Sequence, residues 1–199
     1  FYRGIDRFVF LKNKKKWIGE PIRHQLNLLF NKKVLFFGYG SINKRLHQYL
    51  KPFSCNFDFV DTKTNSFSSD KKIKTADIIL CCAPESEKTI NFFNKKKLQL
   101  LKKDSIFINA GRGSLIDEKA LIEYLKIGRI KGALLDVTNN EPIKYSDSIW
   151  NCPNLILTQH SGGGSIYEIT NKIKFFELNF KRYCSRKSLH GIIDNLKGY

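Results

Sequence analysis

Val34-Leu35-Phe36-Phe37-Gly38-Tyr39-Gly40-Ser41-Ile42-Asn43 is the stretch whose reading decides the fold. Four apolar residues, bounded by Lys32 and Lys33, run directly into a Gly-x-Gly turn, and a mixed apolar and polar segment follows to about Leu50. A strand, a tight glycine turn and a helix in that order form the first half of a dinucleotide-binding unit, in which the helix's free amides and positive end meet a pyrophosphate. Gly38 allows the sharp turn, Gly40 lets the backbone approach a phosphate, and Ser41 and Ile42 present amides to it. Glycine also marks ordinary turns, so the surroundings must carry the reading.

They do so first through Asp61. The apolar run Phe57 to Val60 is a second strand that stops at this carboxylate, 23 residues after Gly38. A carboxylate there accepts hydrogen bonds from both ribose hydroxyls and repels a 2′-phosphate, which favours NAD over NADP; Lys63 nearby tempers that preference. The third glycine of the fingerprint is replaced by Asn43, at a position that normally has little or no side chain because helix and strand pack closely. The expectation is that Asn43 shifts the packing slightly or points away, at some cost to cofactor affinity.

Further along, short apolar segments alternate with longer amphipathic ones. Strands are expected at 77–82, 105–109, 132–137 and 155–158, with helices over 94–101 and 117–127, the latter with its stripe at Ala120, Leu121, Tyr124 and Leu125. Residues 62–72 read as a long polar loop, and residues 1–19 as a helix ending near Gly19. Apolar strands alternating with helices describe an α/β fold, a doubly wound parallel sheet covered on both faces.

Composition excludes several other classes. The net charge of +17 invites a nucleic-acid reading, but the lysines lie in short runs scattered between elements (14–16, 95–97, 102–103), with no binding motif, so a solvated surface is expected and no specific nucleic-acid partner. No apolar stretch of membrane-spanning length occurs. Five cysteines, Cys55, Cys81, Cys82, Cys152 and Cys184, show neither CxxC nor Cys/His spacing, which speaks against a disulfide frame or a metal site and for a reducing compartment, cytoplasmic or an organellar stroma or matrix. His24, His47 and His190 belong to no motif and are read as surface residues. A first residue other than Met, with Met absent throughout, is read as a fragment or a processed product.

Four downstream segments give the chain a family resemblance. Ala76-Asp77-Ile78-Ile79-Leu80 leads into Ala83-Pro84 and Thr89. Asn109-Ala110-Gly111-Arg112-Gly113-Ser114-Leu115-Ile116-Asp117 fits NxxRGxxxD. Gly132-Ala133-Leu134-Leu135-Asp136-Val137 with Glu141-Pro142 fits GAxLDVFxxEP, and Leu157-Thr158-Gln159-His160 with Gly162-Gly163 fits TPHxGG. In this order they resemble the NAD-binding domain of the D-isomer-specific 2-hydroxyacid dehydrogenases. The resemblance implies hydride transfer between a nicotinamide and C2 of a small 2-hydroxy or 2-oxo acid of the glyoxylate, hydroxypyruvate or 3-phosphoglycerate type.

It also implies roles. Arg112 would hold the substrate's carboxylate and carbonyl oxygen with its forked donors. His160 would exchange a proton with the substrate oxygen, imidazole being the side chain that ordinarily titrates near neutrality. Glu141 would hold the imidazole and favour its charged form, and Asp136 would meet the carboxamide end of the cofactor. Ala83, Pro84, Thr89, Ala110, Gly111, Gly162 and Gly163 would complete the cofactor's surroundings, with Arg112 and His160 also touching it. Gln159 stands where the family has proline and Thr138 where it usually has an aromatic residue, which puts the orientation of the histidine in question. The implied organisation is a crossover helix and linker over 1–22, a cofactor domain over 23–164, and a helix and tail over 165–199 that return toward a substrate domain mostly absent from this sequence. A homodimer is expected. The alternative within the same superfamily is a non-catalytic NAD(H)-binding regulatory module.

Overall fold

The computed structural model describes residues 1–61 and 63–193. Six parallel strands form one sheet: β1 (Lys33–Phe37), β2 (Asn56–Val60), β3 (Ile78–Cys81), β4 (Ile106–Asn109), β5 (Gly132–Leu135) and β6 (Leu155–Leu157), in the order β2-β1-β3-β4-β5-β6. The central strands lie between two apolar layers, which is why they are continuous apolar runs and not alternating ones. Val34, Leu35, Phe36 and Phe37 are all buried, and so is the whole of β3. Leu35, Phe37, Ile79 and Phe107 pack with Leu121 and Leu125 on one face, while Val34, Phe36, Ile78 and Leu80 pack with Leu46, Phe57 and Phe59 on the other.

Between the strands run α3 (Ser41–Leu50), α4 (Ser66–Thr75), the single turn α5 (Lys95–Leu98) and α6 (Glu118–Lys126), preceded by α1 (Ile5–Asn13) and α2 (Glu20–Arg23) and followed by α7 (Glu168–Cys184). The chain leaves β1 toward β2 on one side, then crosses back to place β3 on the other. This reversal opens a crevice at the carboxyl ends of β1 and β3, the place where open α/β sheets hold ligands.

Four expectations are corrected. Residues 66–75 are a helix, not loop. Asn65 caps it, its Oδ1 accepting from the Ser68 amide at 2.8 Å, and only Ser69 and Ile73 are buried, so the stretch carries almost no apolar stripe to read. The first helix stops at Asn13; the run Lys14-Lys15-Lys16 leaves helical geometry, with Lys15 at φ 52°. Strand β3 ends at Cys81, and Cys82 lines the crevice at its carboxyl end instead of continuing the strand. His47 is not simply at the surface: its ring packs on Phe57 at 4.4 Å and Phe59 at 5.3 Å, its Nδ1 meets the Tyr39 hydroxyl at 2.5 Å, and burial, with Lys51 nearby, lowers its pKa.

Helices α1 and α7 have no buried residue; Ile5, Val9 and Phe10 of the first and Ile169, Ile173, Phe176, Phe180 and Tyr183 of the second are more than half exposed. Of the expected C-terminal tail, Ile192 and Ile193 are exposed, and 194–199 lie outside the described residues. Among the described residues no helix is long and apolar enough to cross a membrane.

Candidate active site

The glycine turn sits at the mouth of the crevice. Gly38 has φ +76°, and a Cβ there would lie 2.7 Å from Ala83 Cα, so both its backbone and its closeness to the exit of β3 demand glycine. At Gly40 a Cβ would meet nothing within 4 Å and would point into open space. Helix α3 starts at Ser41 without a side-chain cap, so its first-turn amides are not taken by a protein side chain. A cavity of about 540 Å³ opens here, lined by Gly38, Gly40, Ser41, Ile42, Asp61, Ala83, Pro84, Thr89, Ala110, Gly111 and Arg112, together with Tyr39, Lys63 and Cys82. Burial raises the Cys82 thiol to about 11, so it faces the cavity uncharged.

Asp61 closes one end. Its Oδ1 accepts from the amides of Lys63 and Thr64 and from the Thr64 hydroxyl at 2.9–3.0 Å, leaving Oδ2 for a ligand. Partial burial pushes its pKa up, but these bonds outweigh it and the group lies below the ordinary carboxylate value. Thr89 is buried; its hydroxyl donates to the Pro84 carbonyl and accepts from the Ser86 amide, each at 2.8 Å, so it shapes the loop more than it faces the cavity.

Asn43 does not point away. It is fully buried, and its Nδ2 lies 2.6 Å from the Gly38 carbonyl and 3.3 Å from those of Phe37 and Leu80, filling the helix–strand contact with a donor.

Arg112 follows β4. Buried Asn109 shapes its turn, accepting from the Gly111 amide at 3.1 Å and donating to the Arg112 carbonyl at 2.9 Å. Arg112 Nη1 donates to the Gly111 carbonyl at 2.8 Å, and the rest of the fork makes no protein hydrogen bond among the described residues. A Cβ on Gly113 would lie 2.1 Å from the Thr138 carbonyl oxygen, so the turn after Arg112 is pressed against the loop that carries Glu141.

A second cavity of about 470 Å³ adjoins that loop, lined by Asp136, Thr138, Glu141, Gln159 and His160 with Ile143, Trp150 and Leu157. His160 Nδ1 and Glu141 Oε2 are 2.7 Å apart. A carboxylate only accepts, so the pair fixes the proton on Nδ1 and leaves Nε2 as the free nitrogen. Glu141 Oε1 accepts from the Thr138 amide at 2.9 Å. The bond from His160, then that amide, hold the Glu141 carboxyl below its ordinary range. Because this pKa is depressed, the pairing is complete at and above the ordinary carboxylate range and is lost only as pH falls beneath it. A pH series followed by imidazole NMR should therefore show the His160–Glu141 contact intact at pH 6 and at pH 5; a break near pH 6 would contradict the geometry.

Asp136 pins the histidine's loop. Its Oδ1 accepts from the Thr158 hydroxyl at 2.5 Å and the Ser161 amide at 3.0 Å, Gly162 N approaches Oδ2 at 3.1 Å, and its own carbonyl accepts from the His160 amide at 2.6 Å. Burial raises its pKa, but the bonds from Thr158, Gly162 and Ser161 prevail and hold it below the ordinary value. Gly163 has open space around it and lines neither cavity.

Gln159 and His160 both adopt left-handed backbone, at φ 56° and 54°. Proline, confined near −65°, cannot occupy the first of these positions. Gln159→Gly should stabilise the chain by about 1 kcal/mol in urea unfolding, by removing left-handed strain. Gln159→Pro should destabilise it and separate His160 from Glu141; equal stability of the proline variant would show that the loop takes another path.

The expected residues thus gather at one edge of the sheet in two groups, Arg112 with the glycine turn and Asp61, and His160 with Glu141 and Asp136. Motif reading missed Asn109, Thr138, Thr158 and Ser161 as the residues that hold these loops; all four stand inside the quoted signatures, but bonds from side chain to backbone, and in Thr158 to another side chain, leave no periodic trace.

Parallel sheet, reversal point and glycine turn define a Rossmann-type α/β domain. The model of the D-isomer specific 2-hydroxyacid dehydrogenase NAD binding domain matches residues 1–162, and the chain belongs to that family. A probable 2-ketogluconate reductase of Dictyostelium discoideum is 29% identical over 88% of this chain and 56% of its own length. The structure of D-lactate dehydrogenase with NAD+ from Lactobacillus jensenii is 26% identical, covers 98% of this chain and 64% of its own, and superposes with a TM-score of 0.81. A probable 2-hydroxyacid dehydrogenase from Rhizobium etli in complex with NADP shares the fold at a TM-score of 0.87 and 21% identity, over 100% of this chain and 65% of its own. The chain spans about half the length of the curated relatives it matches.

Proposed function

We propose that this chain binds NAD(H) and takes part in hydride transfer between the nicotinamide and C2 of a small 2-hydroxy or 2-oxo acid. The observation that carries the reading is the His160–Glu141 pair, standing at the same sheet edge as the glycine turn and Arg112. The cavity at the turn fits a dinucleotide: Gly40 leaves room for a phosphate, and uncapped amides of α3 face it. Bound nicotinamide supplies or accepts the hydride.

The remaining roles belong to the protein. Free donors of Arg112 bind and orient the substrate carboxylate, and a bidentate grip sets the face presented to the ring. His160 Nε2 gives a proton to the substrate oxygen during reduction and takes it back in oxidation. Glu141, accepting from Nδ1–H, orients the imidazole and keeps Nε2 turned to the substrate. Asp136 holds the loop that carries the histidine, with Gly162 in its grip, and its less occupied Oδ2 is the atom open to the cofactor's carboxamide.

NAD is preferred over NADP in this reading, because Asp61 Oδ2 would face a 2′-phosphate. Asp61→Ala should narrow the ratio of NADPH to NADH dissociation constants by about tenfold; an unchanged ratio would remove Asp61 from recognition. The substrate class is glyoxylate, hydroxypyruvate or 3-phosphoglycerate, and NADH oxidation across a panel of 2-oxo acids tests it. Division of the chain into 1–22, 23–164 and 165–199, and pairing of two copies, belong to the same proposal; light scattering checks the second.

A further inference from the structure

Asn43 occupies the position where the glycine fingerprint fails, and its side chain is among the most buried polar groups of the chain. It lies under the turn, where β1 and β3 end side by side with Phe36 opposite Leu80 and Phe37 opposite Cys81. Three carbonyl oxygens surround its Nδ2: Gly38 at 2.6 Å, Phe37 and Leu80 at 3.3 Å. Only a donor is tolerated among three acceptors, so the amide's orientation is determined, and its Oδ1 is left buried without a partner. A space-filling alanine would avoid that orphaned acceptor; what asparagine adds is the donor.

The shortest of the three bonds goes to the turn itself. A trans peptide is planar, with its C=O and N–H antiparallel. Holding the Gly38 carbonyl inward therefore turns the Tyr39 N–H outward, on the side where Tyr39 lines the cavity. That N–H makes no hydrogen bond among the described residues. Glycine at 38, free to rotate, is the residue most in need of such a restraint, since its φ of +76° is one of several open to it.

We propose that Asn43 is a positioning residue: its amide clamps the Gly38 carbonyl, fixes the Gly38–Tyr39 peptide plane, and so presents the Tyr39 amide to the phosphates of a bound dinucleotide. The ligand part of this inference rests on the dinucleotide reading above; the clamp itself does not. Asn43 then does with a hydrogen bond what close glycine packing does elsewhere.

The test compares the wild-type chain with Asn43→Gly and Asn43→Ala by two measurements. Backbone ¹⁵N relaxation of residues 38–41 in the free protein reads the clamp, and titrations with ADP-ribose and with adenosine read its consequence. Both variants should lose order at Tyr39 and Gly40 and bind ADP-ribose about 3- to 10-fold more weakly, the loss of one hydrogen bond, while adenosine affinity stays unchanged. Asn43→Gly restores the family's third glycine, so tighter or equal ADP-ribose binding by that variant, with the turn still ordered, overturns the proposal. An equal loss for adenosine and ADP-ribose also overturns it, as general destabilisation. Should wild type bind neither ligand, the dinucleotide reading falls, and with it the ligand part, while the relaxation data still decide the clamp.

Discussion

His160→Ala should lower the rate of 2-oxo acid reduction by about 10²- to 10⁴-fold, the usual contribution of a positioned general acid, and leave NADH affinity essentially unchanged. The split follows from where the side chain lies. His160 lines the cavity shared with Glu141, not the one formed by the glycine turn, so removing the imidazole deletes a proton donor without touching the amides of α3. Glu141→Gln should show a smaller loss. It keeps the shape and the Thr138 contact but gives up the carboxylate that fixes the proton on Nδ1. The measurement is steady-state kinetics paired with a fluorescence titration. A histidine variant that lost binding and rate together would place the imidazole against the cofactor rather than the substrate.

Gly38→Ala should be the most damaging single methyl group in the turn. Left-handed backbone costs a side-chain-bearing residue about 1–2 kcal/mol, and the new Cβ would also meet Ala83 Cα at 2.7 Å, a contact with backbone that cannot rotate aside. Overpacking of that kind costs about 1–3 kcal/mol more. The turn can escape only by moving away from β3, which disorganises the crevice, so stability and NADH affinity should fall together. Urea unfolding and NADH titration check this. Gly40→Ala is the control: its methyl enters open space, so stability should survive while affinity drops. If Gly40→Ala bound NADH normally, a phosphate would not approach there.

The fold was legible because burial on both sides forces β1 and β3 to be unbroken apolar runs, and no helix could be confused with them. Helix α4 was not, because Ser66–Thr75 buries only Ser69 and Ile73 and announces itself through the Asn65 cap alone. At the site, Arg112, Glu141 and His160 could be found because each stands in a signature of fixed spacing. What holds them in place was less legible: Asp136 was expected to meet the cofactor, but its bonds to the Thr158 hydroxyl and the Ser161 amide join two loops that the sheet's order brings together, and Asn109 bonds backbone groups of its own turn, which spacing alone does not record. Asn43 shows the limit from the other side. A position reserved for glycine tells how much room is expected, not that an amide could fill it and bond to three carbonyls. Gln159 carried a readable signal, since the loss of proline frees φ, yet the direction taken, to +56°, emerges only with the loop.

The measurement that bears most directly on the central claim is a titration of the chain with NADH, followed by nucleotide fluorescence and by amide shifts of residues 38–42. Saturable binding with a dissociation constant below about 1 mM, and shifts concentrated on Tyr39 to Ile42 and Asp61, is the expected result. No saturation up to about that concentration, or shifts spread elsewhere while the glycine turn stays silent, would contradict it.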